Sequence, residues 1–265
     1  MGYIFDFNDT ISCDKWFEEH HNSLIARVEN RLLFEMLKPA RGSRLLDIGC
    51  GTGHGLMQLI EMGLCPTGID PSPYMLDVAY KNVKDRADLH RGVAESLPFD
   101  DNSFDYSCFM TSLEFVENPE NALKEAFRVT KDKVFLGVLN RYALKAIKRR
   151  IKGIFTRTIY NHARFFSIWE LKNMVRIILG DVPVSWSTVC LCPYDSDKII
   201  SKIEHSTFMH KYPFGAFAGL SITLVPRFRT RPLPIIYKAR QKNENAISLT
   251  FLRNGDEKNP PFIPL

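Results

Sequence analysis

The chain has 265 residues, 45% of them hydrophobic, and a formal net charge of +5, enough to bury one α/β core with additions. No early segment joins a basic start to a long apolar run, and no stretch reaches the length of a bilayer span, so a membrane-inserted class is set aside and a cytoplasmic protein is expected. A charge this small does not argue for nucleic acid, and no DNA- or RNA-binding motif is visible.

The first forty residues carry Trp16, Phe17, His20, His21, Leu24, Ile25, Val28, Leu32 and Leu33 at helical spacing, predicting a helical segment before the first strand. His20 and His21 fit core or surface roles as well as catalysis, and Trp16 fits packing as well as a cation contact.

Residues 44–55 read RLLDIGCGTGHG. Leu45, Leu46 and Ile48 make a short buried strand, and Gly49, Gly51, Gly53 and Gly55 let backbone approach a ligand without Cβ atoms in the way. A helix over 56–62 follows, ended by Gly63. The dinucleotide fingerprint needs a third glycine five positions after the first. Counting from Gly49 reaches His54 and from Gly51 reaches Leu56, so that fingerprint fails. Asp47 would repel a pyrophosphate but suits a cofactor carrying an ammonium and a sulfonium, which favours S-adenosylmethionine over NAD.

A second strand, CPTGID, closes on Asp70 and is followed by Pro71-Ser72-Pro73 and a helix over 74–83. An acid there can accept from both hydroxyls of a ribose, and Pro73 suits a first helical turn. Residues 88–91 give a third strand, 93–99 a loop, 100–102 a turn and 104–110 a fourth strand. The ends of these strands converge at one edge of a parallel sheet.

The segments LLDIGCGTGHG, GIDPSPYML, GVAESLPFDDNSFDYSCF and TSLEFVENPENALKEAFRVTKDKVFLGVLNR together resemble the class I S-adenosylmethionine-dependent methyltransferases, and within them the type 11 group of mostly small-molecule enzymes. The resemblance covers roughly residues 44–141. It implies an α/β, Rossmann-like, seven-stranded and mostly parallel sheet of order 3-2-1-4-5-7-6, with helices on both faces and a helical cap. It implies S-adenosylmethionine as cofactor and S-adenosylhomocysteine as product. By position, Asp47, Gly49, Gly51 and Gly53 would line the methionine part, with Cys50 and Thr52 in the same loop. Asp70 and Pro71 would hold the ribose, Ser72 and Met75 border the adenine, and Ala94 and Glu95 flank its amine. Met110 and Thr111, at the end of the fourth strand, complete the set.

Two features depart from the family. VTKDKVFLG lacks the usual Pro-Gly-Gly turn before the fifth strand, and the histidine common after the fourth strand is replaced by Leu113-Glu114-Phe115. Methyl transfer is an in-line displacement in which the protein aligns the reactants and excludes water, so a base is optional. Glu114 is the sequence candidate for one, its alternative being an acid at a helix N-terminus. Tyr160, His162 and Arg164 form a second set suited to an acidic or phenolic acceptor, with His162 the other catalytic candidate.

Residues 133–169 contain no acidic residue, while Arg141, Lys145, Lys148, Arg149, Arg150, Lys152, Arg157 and Arg164 accumulate. Leu144, Ile147, Ile151 and Ile154 recur at helical spacing, so 141–158 reads as a basic amphipathic helix: a solvated cap, or a surface meeting an anionic substrate or a lipid. A helix over 167–179, a strand over 183–189 and a long strand over 214–225 follow, interrupted by an insertion at 190–213. The expected organisation is therefore a helical roof over the cofactor at 1–40, a methyltransferase domain at 41–240 with a basic cap at 141–166, and a loosely attached tail at 241–265.

Six scattered cysteines suit reduced thiols, and Cys190 and Cys192 lack the partners of a metal site, so no metal is expected. The expected acceptor is a small molecule, hydrophobic or anionic, with no nucleic acid and with peripheral membrane contact open through 141–158. A macromolecular methyltransferase would have only the basic stretch in its favour. A non-catalytic cofactor-binding partner or sensor would need a damaged loop, and the loop's acids and glycines are intact.

Overall fold

A computed structural model describes residues 2–143, 162–189 and 212–224, with His20 and His21 described in backbone only. The described residues belong to one compact unit spanning 1–225. Most of the basic cap, including Tyr160, most of the insertion with Cys190 and Cys192, and the tail lie outside the described residues.

The N-terminal helical segment is two helices, α1 (Phe7–Glu18) and α2 (His20–Leu37). Asp6 starts α1 with a reciprocal capping box, its side chain accepting from Asp9 N while Asp9 accepts from Asp6 N, which satisfies two donors the helix leaves open. The chain leaves helical geometry at Glu19 alone (φ −67°, ψ 126°). No glycine or proline marks that break, and both helices pack on each other across it.

The alternation of the central strands then decides which side each residue faces. β1 (Arg44–Ile48) and β2 (Cys65–Asp70) are parallel neighbours, and β3 (Asp88–Arg91) extends the sheet beyond β2. On β1's other side lie β4 (Phe104–Met110) and β5 (Thr130–Leu139), also parallel. β7 (Phe217–Thr223) runs antiparallel between β5 and the edge strand β6 (Val184–Val189), giving the order β3-β2-β1-β4-β5-β7-β6. The expected sheet is therefore the observed one, with β7 shorter than the sequence pattern suggests.

Leu46, Ile48, Phe109, Val134, Leu136 and Leu220 face α5 (Pro119–Val129) and α6 (Ile168–Leu179). Leu45, Cys108, Phe135 and Phe217 face the opposite way, toward α2, α3 (His54–Glu61) and α4 (Pro73–Val83). Each large side chain in these layers contributes roughly 1.5–3 kcal/mol of burial. The missing Pro-Gly-Gly turn has a plain consequence: α5 ends at Val129 and β5 begins at Thr130, with nothing between. Thr130 makes the corner, its Oγ1 donating to the Ala126 carbonyl (2.6 Å) and sharing a hydrogen bond with Ser107 Oγ (2.7 Å).

The sheet's chain order reverses between β1 and β4, and ligands in open α/β sheets bind outside the carboxyl ends of the strands at such a reversal. The glycine loop leaves β1 at that place.

Candidate active site

A cavity of about 780 Å³ opens there, walled by the glycine loop, the ends of β2, β4 and β5, and by residues of α1 and α2. Gly49, Gly51 and Gly53 all have positive φ. At Gly49 a Cβ would fall 2.4 Å from Ser112 Cβ, so only glycine lets this turn lie against the chain leaving β4. At Gly51 the space a Cβ would take holds nothing nearer than Met75 Sδ at 3.9 Å. That opening on the wall fits a cofactor laid against the backbone. Gly51→Ala is thus expected to keep the fold, at about 1 kcal/mol for the left-handed backbone, yet to weaken cofactor binding at least tenfold. Parallel melting and calorimetric titration check the split.

Two acids frame the loop. Asp70 lines the cavity, and its carboxylate accepts from Gly51 N (3.0 Å) and Ser72 N (2.9 Å), binding the end of β2 to the loop after β1. Burial pushes its carboxyl upward. Asp47 is 3% exposed but faces the same cavity, with Cys108 Sγ donating to Oδ1 at 3.5 Å. Desolvation pushes it from 3.8 to about 7, Cys108 opposing and Asp70 adding to the rise. Among the described residues no lysine or arginine compensates either acid. A cationic cofactor supplies that compensation, so the donor set fits S-adenosylmethionine.

The pH dependence follows with a definite sign. For Asp47 alone, the raised pKa gives the free protein stability that is complete below 3.8 and is lost as pH rises through about 7. A bound cation favours the ionised form, so cofactor binding must release a proton below pH 7 and tighten as pH rises, by up to about tenfold per unit. Affinities at pH 6, 7 and 8 check this, and Asp47→Asn is expected to flatten the dependence.

Cys50, Thr52, Pro71, Met75, Ala94, Glu95, Met110 and Thr111 all lie on the cavity wall. Glu95 also accepts from Glu117 N and Asn118 N, which steadies the approach to α5. Thr111 adopts φ +54°, rare for a β-branched residue. Its N–H is held by Gly137 O (2.8 Å) and Ser112 Oγ reaches Ile48 O (2.5 Å), so the chain turns sharply over β1.

Three expected site residues do not line the cavity. Gly53 begins α3 and packs against Ala79. Ser72 is fully buried, caps α4 through Met75 N and donates to Phe5 O at 2.7 Å. Glu114, expected beside the transferring methyl, sits in a short 3₁₀ turn (Leu113–Phe115) and is 1% exposed. Its Oε1 accepts from Leu139 N at 2.6 Å, while Oε2 is buried with no hydrogen-bond partner among the described residues. The carboxyl is spent on holding the end of β5, and desolvation raises it from 4.5 to about 7.

His162 does reach the wall, stacked on Tyr3 with ring centroids 4.2 Å apart at 10°. Arg164 turns elsewhere, onto Glu170 (2.7 Å), and Arg141 joins the same carboxylate at 3.0 Å.

Sequence reasoning missed most of the remaining wall. Residues 2–5 cross it: Tyr3 N donates to Phe115 O (3.0 Å), and Tyr3 OH donates to Asp9 (2.6 Å), which pushes the phenol up to about 12. The available signal was the Asp6-x-x-Asp9 capping pattern, which starts a helix right after two aromatic residues. His54 of the loop pairs with Asp14 of α1 at 2.9 Å and stacks on Phe17. Cys13 is a free thiol on this wall, pushed up to about 11 by burial. Cys65, at the start of β2, is exposed. Among the described residues no helix is long and apolar enough to cross a membrane, and no cluster of His, Cys, Asp and Glu could hold a metal.

Residues 46–137 match a family model described as a methyltransferase domain. An uncharacterized protein of Methanocaldococcus jannaschii is 32% identical over 216 residues, spanning 78% of this chain and 93% of that protein. A demethylmenaquinone methyltransferase of Renibacterium salmoninarum is 38% identical over 101 residues, 38% of this chain and 42% of that enzyme, so the match spans less than half its length. Among solved structures, a methyltransferase of Thermotoga maritima described as a possible histamine N-methyltransferase aligns at 25% identity and TM-score 0.61, over 82% of this chain and 96% of that one.

Proposed function

This chain belongs to the class I S-adenosylmethionine-dependent methyltransferases, and on that premise we propose that its methyl acceptor is a small molecule held in the cavity between the glycine loop and helices α1 and α2. The observation that supports a small acceptor is the cavity itself, a recess of about 780 Å³ that cofactor and acceptor would share, walled in part by α1, α2 and residues 2–5. That volume falls in the range of roughly 300–1,000 Å³ typical of small-molecule sites. The similar proteins named for histamine and demethylmenaquinone point the same way.

When bound, the cofactor supplies a methyl group already activated on a sulfonium. The chain's own residues do the rest. Asp70 would hold the ribose, and through Gly51 N it keeps the loop in shape for it. Asp47 would balance positive charge at the methionine end, and Met75 and Ala94, both on the cavity wall, would border the base. Tyr3, Phe5, Trp16 and Phe115 exclude water from the reacting end. Two imidazoles stand on the wall: His54 is paired with Asp14, and His162 is the one assigned to take a proton from an acceptor that must lose one.

Calorimetry with S-adenosylmethionine, followed by radiolabelled methyl transfer to small-molecule pools and to cell protein and RNA, tests the proposal. Label appearing only in protein or RNA would refute it.

A further inference from the structure

We infer that Asn30 determines specificity for the methyl acceptor, and that this acceptor is a mostly apolar molecule presenting an O–H or N–H group to the Asn30 amide oxygen. The inference rests on the small-molecule reading above. Asn30 lies in the interior of α2, is 6% exposed and lines the cavity. Its Nδ2 donates to the Ala26 carbonyl at 3.0 Å. That contact settles which end of the amide is which, because a carbonyl can accept from the NH₂ group but not from the oxygen. Oδ1 is therefore the amide atom left for the cavity, and among the described residues no donor reaches it.

The second observation is that the helix gains nothing from this residue. Asparagine is a poor choice for a helix interior because its side chain competes for the backbone, and the bond to Ala26 is of that competing kind. Leu33 and Leu37, one and two turns further along the same face, are fully buried against the sheet. An apolar side chain at position 30 would simply continue that face. A buried amide with an unpaired oxygen is instead a local conflict, of the sort that a binding site accounts for.

The course of α2 puts this oxygen on the acceptor's side of the cavity. Lys133 Nζ, at the start of β5, donates to the Leu37 carbonyl at the end of α2 (2.9 Å). Further along, a Cβ on Gly219, which pairs with Gly137 of β5, would fall 2.8 Å from Leu32 Cδ2. The helix thus runs against β5, and Asn30 stands toward β5's carboxyl end, across the sheet's chain reversal from Asp70. Ile25 and Ala26 of α2, Met110 of β4, Leu139 of β5 and Ala216 before β7 give the cavity an apolar surface. Backbone contacts fix its shape: Leu139 N is held by Glu114, and Asn140 N donates to the Ala216 carbonyl at 3.0 Å. A ligand of the right shape but without a donor would leave Oδ1 unpaired and dry, which such a site rejects.

The test compares p-cresol with p-fluorotoluene and indole with benzofuran, pairs alike in shape in which the first member alone carries a donor. Each is titrated calorimetrically into the protein saturated with S-adenosylhomocysteine. The expected result is that p-cresol and indole bind at least tenfold tighter than their counterparts. Asn30→Leu should abolish that difference, leave S-adenosylhomocysteine affinity within about threefold, and keep or raise the melting temperature, because leucine extends the apolar face of α2. Asn30→Ala, which removes the amide without adding bulk, should abolish the difference as well. Equal binding within each pair, no binding of p-cresol or indole, or a preference that survives both substitutions would overturn the inference. So would a sharp fall in melting temperature in both variants, which makes the amide structural, or a loss of S-adenosylhomocysteine binding in both, which gives Asn30 to the cofactor. Failure of the unmodified protein to bind S-adenosylhomocysteine would overturn the methyltransferase reading instead, and label found in protein or RNA alone the small-molecule one, so the failures are told apart.

Discussion

Replacing Asp70 by asparagine is expected to weaken S-adenosylmethionine binding about 100-fold, close to 2.7 kcal/mol, while the sheet keeps its order. Both carboxylate oxygens of Asp70 already accept a backbone N–H, one from Gly51 and one from Ser72. Either way round, the asparagine amide puts an NH₂ group against one of those donors. One loop contact is lost, and the charge that strengthens hydrogen bonds to a ribose is lost with it, each worth about 1.5–3 kcal/mol. Where the NH₂ faces Gly51, the loop also loses register, because that contact draws the end of β2 toward the turn after β1; where it faces Ser72, the start of the helix after β2 loses its tie instead. Calorimetric titration checks the magnitude, and a melting curve separates it from a general loss of fold. An affinity within threefold of the unmodified protein would mean that the ribose is held elsewhere.

That Asp70 could be read from the sequence at all reflects how local its signal is. An apolar run ending in an acid, followed by Pro71-Ser72-Pro73, fixes the strand, the acid's place at its end and the helix start within a few residues. The same holds for the glycine loop, where each positive φ needs a residue without a Cβ. The break at Glu19 had no such signal. His20, His21 and Asn22 after it are only weaker helix formers, which does not by itself end a helix, and the two helices pack on each other across the bend, a tertiary contact that propensity does not record. Residues 2–5 were overlooked for a similar reason. Their place depends on Phe115 and Ser72, which are far away in the chain but adjacent in the fold.

Glu114 shows the opposite case, in which a legible position does not by itself tell the role: the residue follows β4 as expected but is buried behind the cavity wall. Its place just after β4 was legible, and an acid there suggests chemistry. The sequence does not show that the end of β5 offers Leu139 N at 2.6 Å and closes over the carboxyl. With Arg164 N donating to the Glu114 carbonyl at 2.8 Å, this one residue joins the turn after β4, the end of β5 and the segment carrying His162. Leu139 and Phe115, on either side of that junction, both line the cavity. These contacts fit a carboxyl that sets the spacing of two walls, a positioning role.

Two substitutions separate this positioning role from proton transfer. Glu114→Gln keeps an acceptor oxygen for Leu139 N and removes only the charge, so turnover is expected to stay within about threefold of the unmodified enzyme. A general base would instead lose roughly 10²–10⁴-fold. Glu114→Ala leaves Leu139 N buried without a partner, at about 1–3 kcal/mol, and opens a void in addition. The expected outcome is a clear drop in melting temperature together with a raised KM for the acceptor, because the wall that Leu139 belongs to is no longer held. The pH dependence gives an independent check. The Glu114 carboxyl is raised from 4.5 to about 7, so its contribution to stability is complete below 4.5 and is lost as pH rises through about 7. Denaturation midpoints measured between pH 4 and 8 should therefore fall less steeply in Glu114→Gln than in the unmodified protein, since glutamine does not titrate. Equal slopes, or a hundredfold loss of turnover in Glu114→Gln, would return Glu114 to the reacting centre.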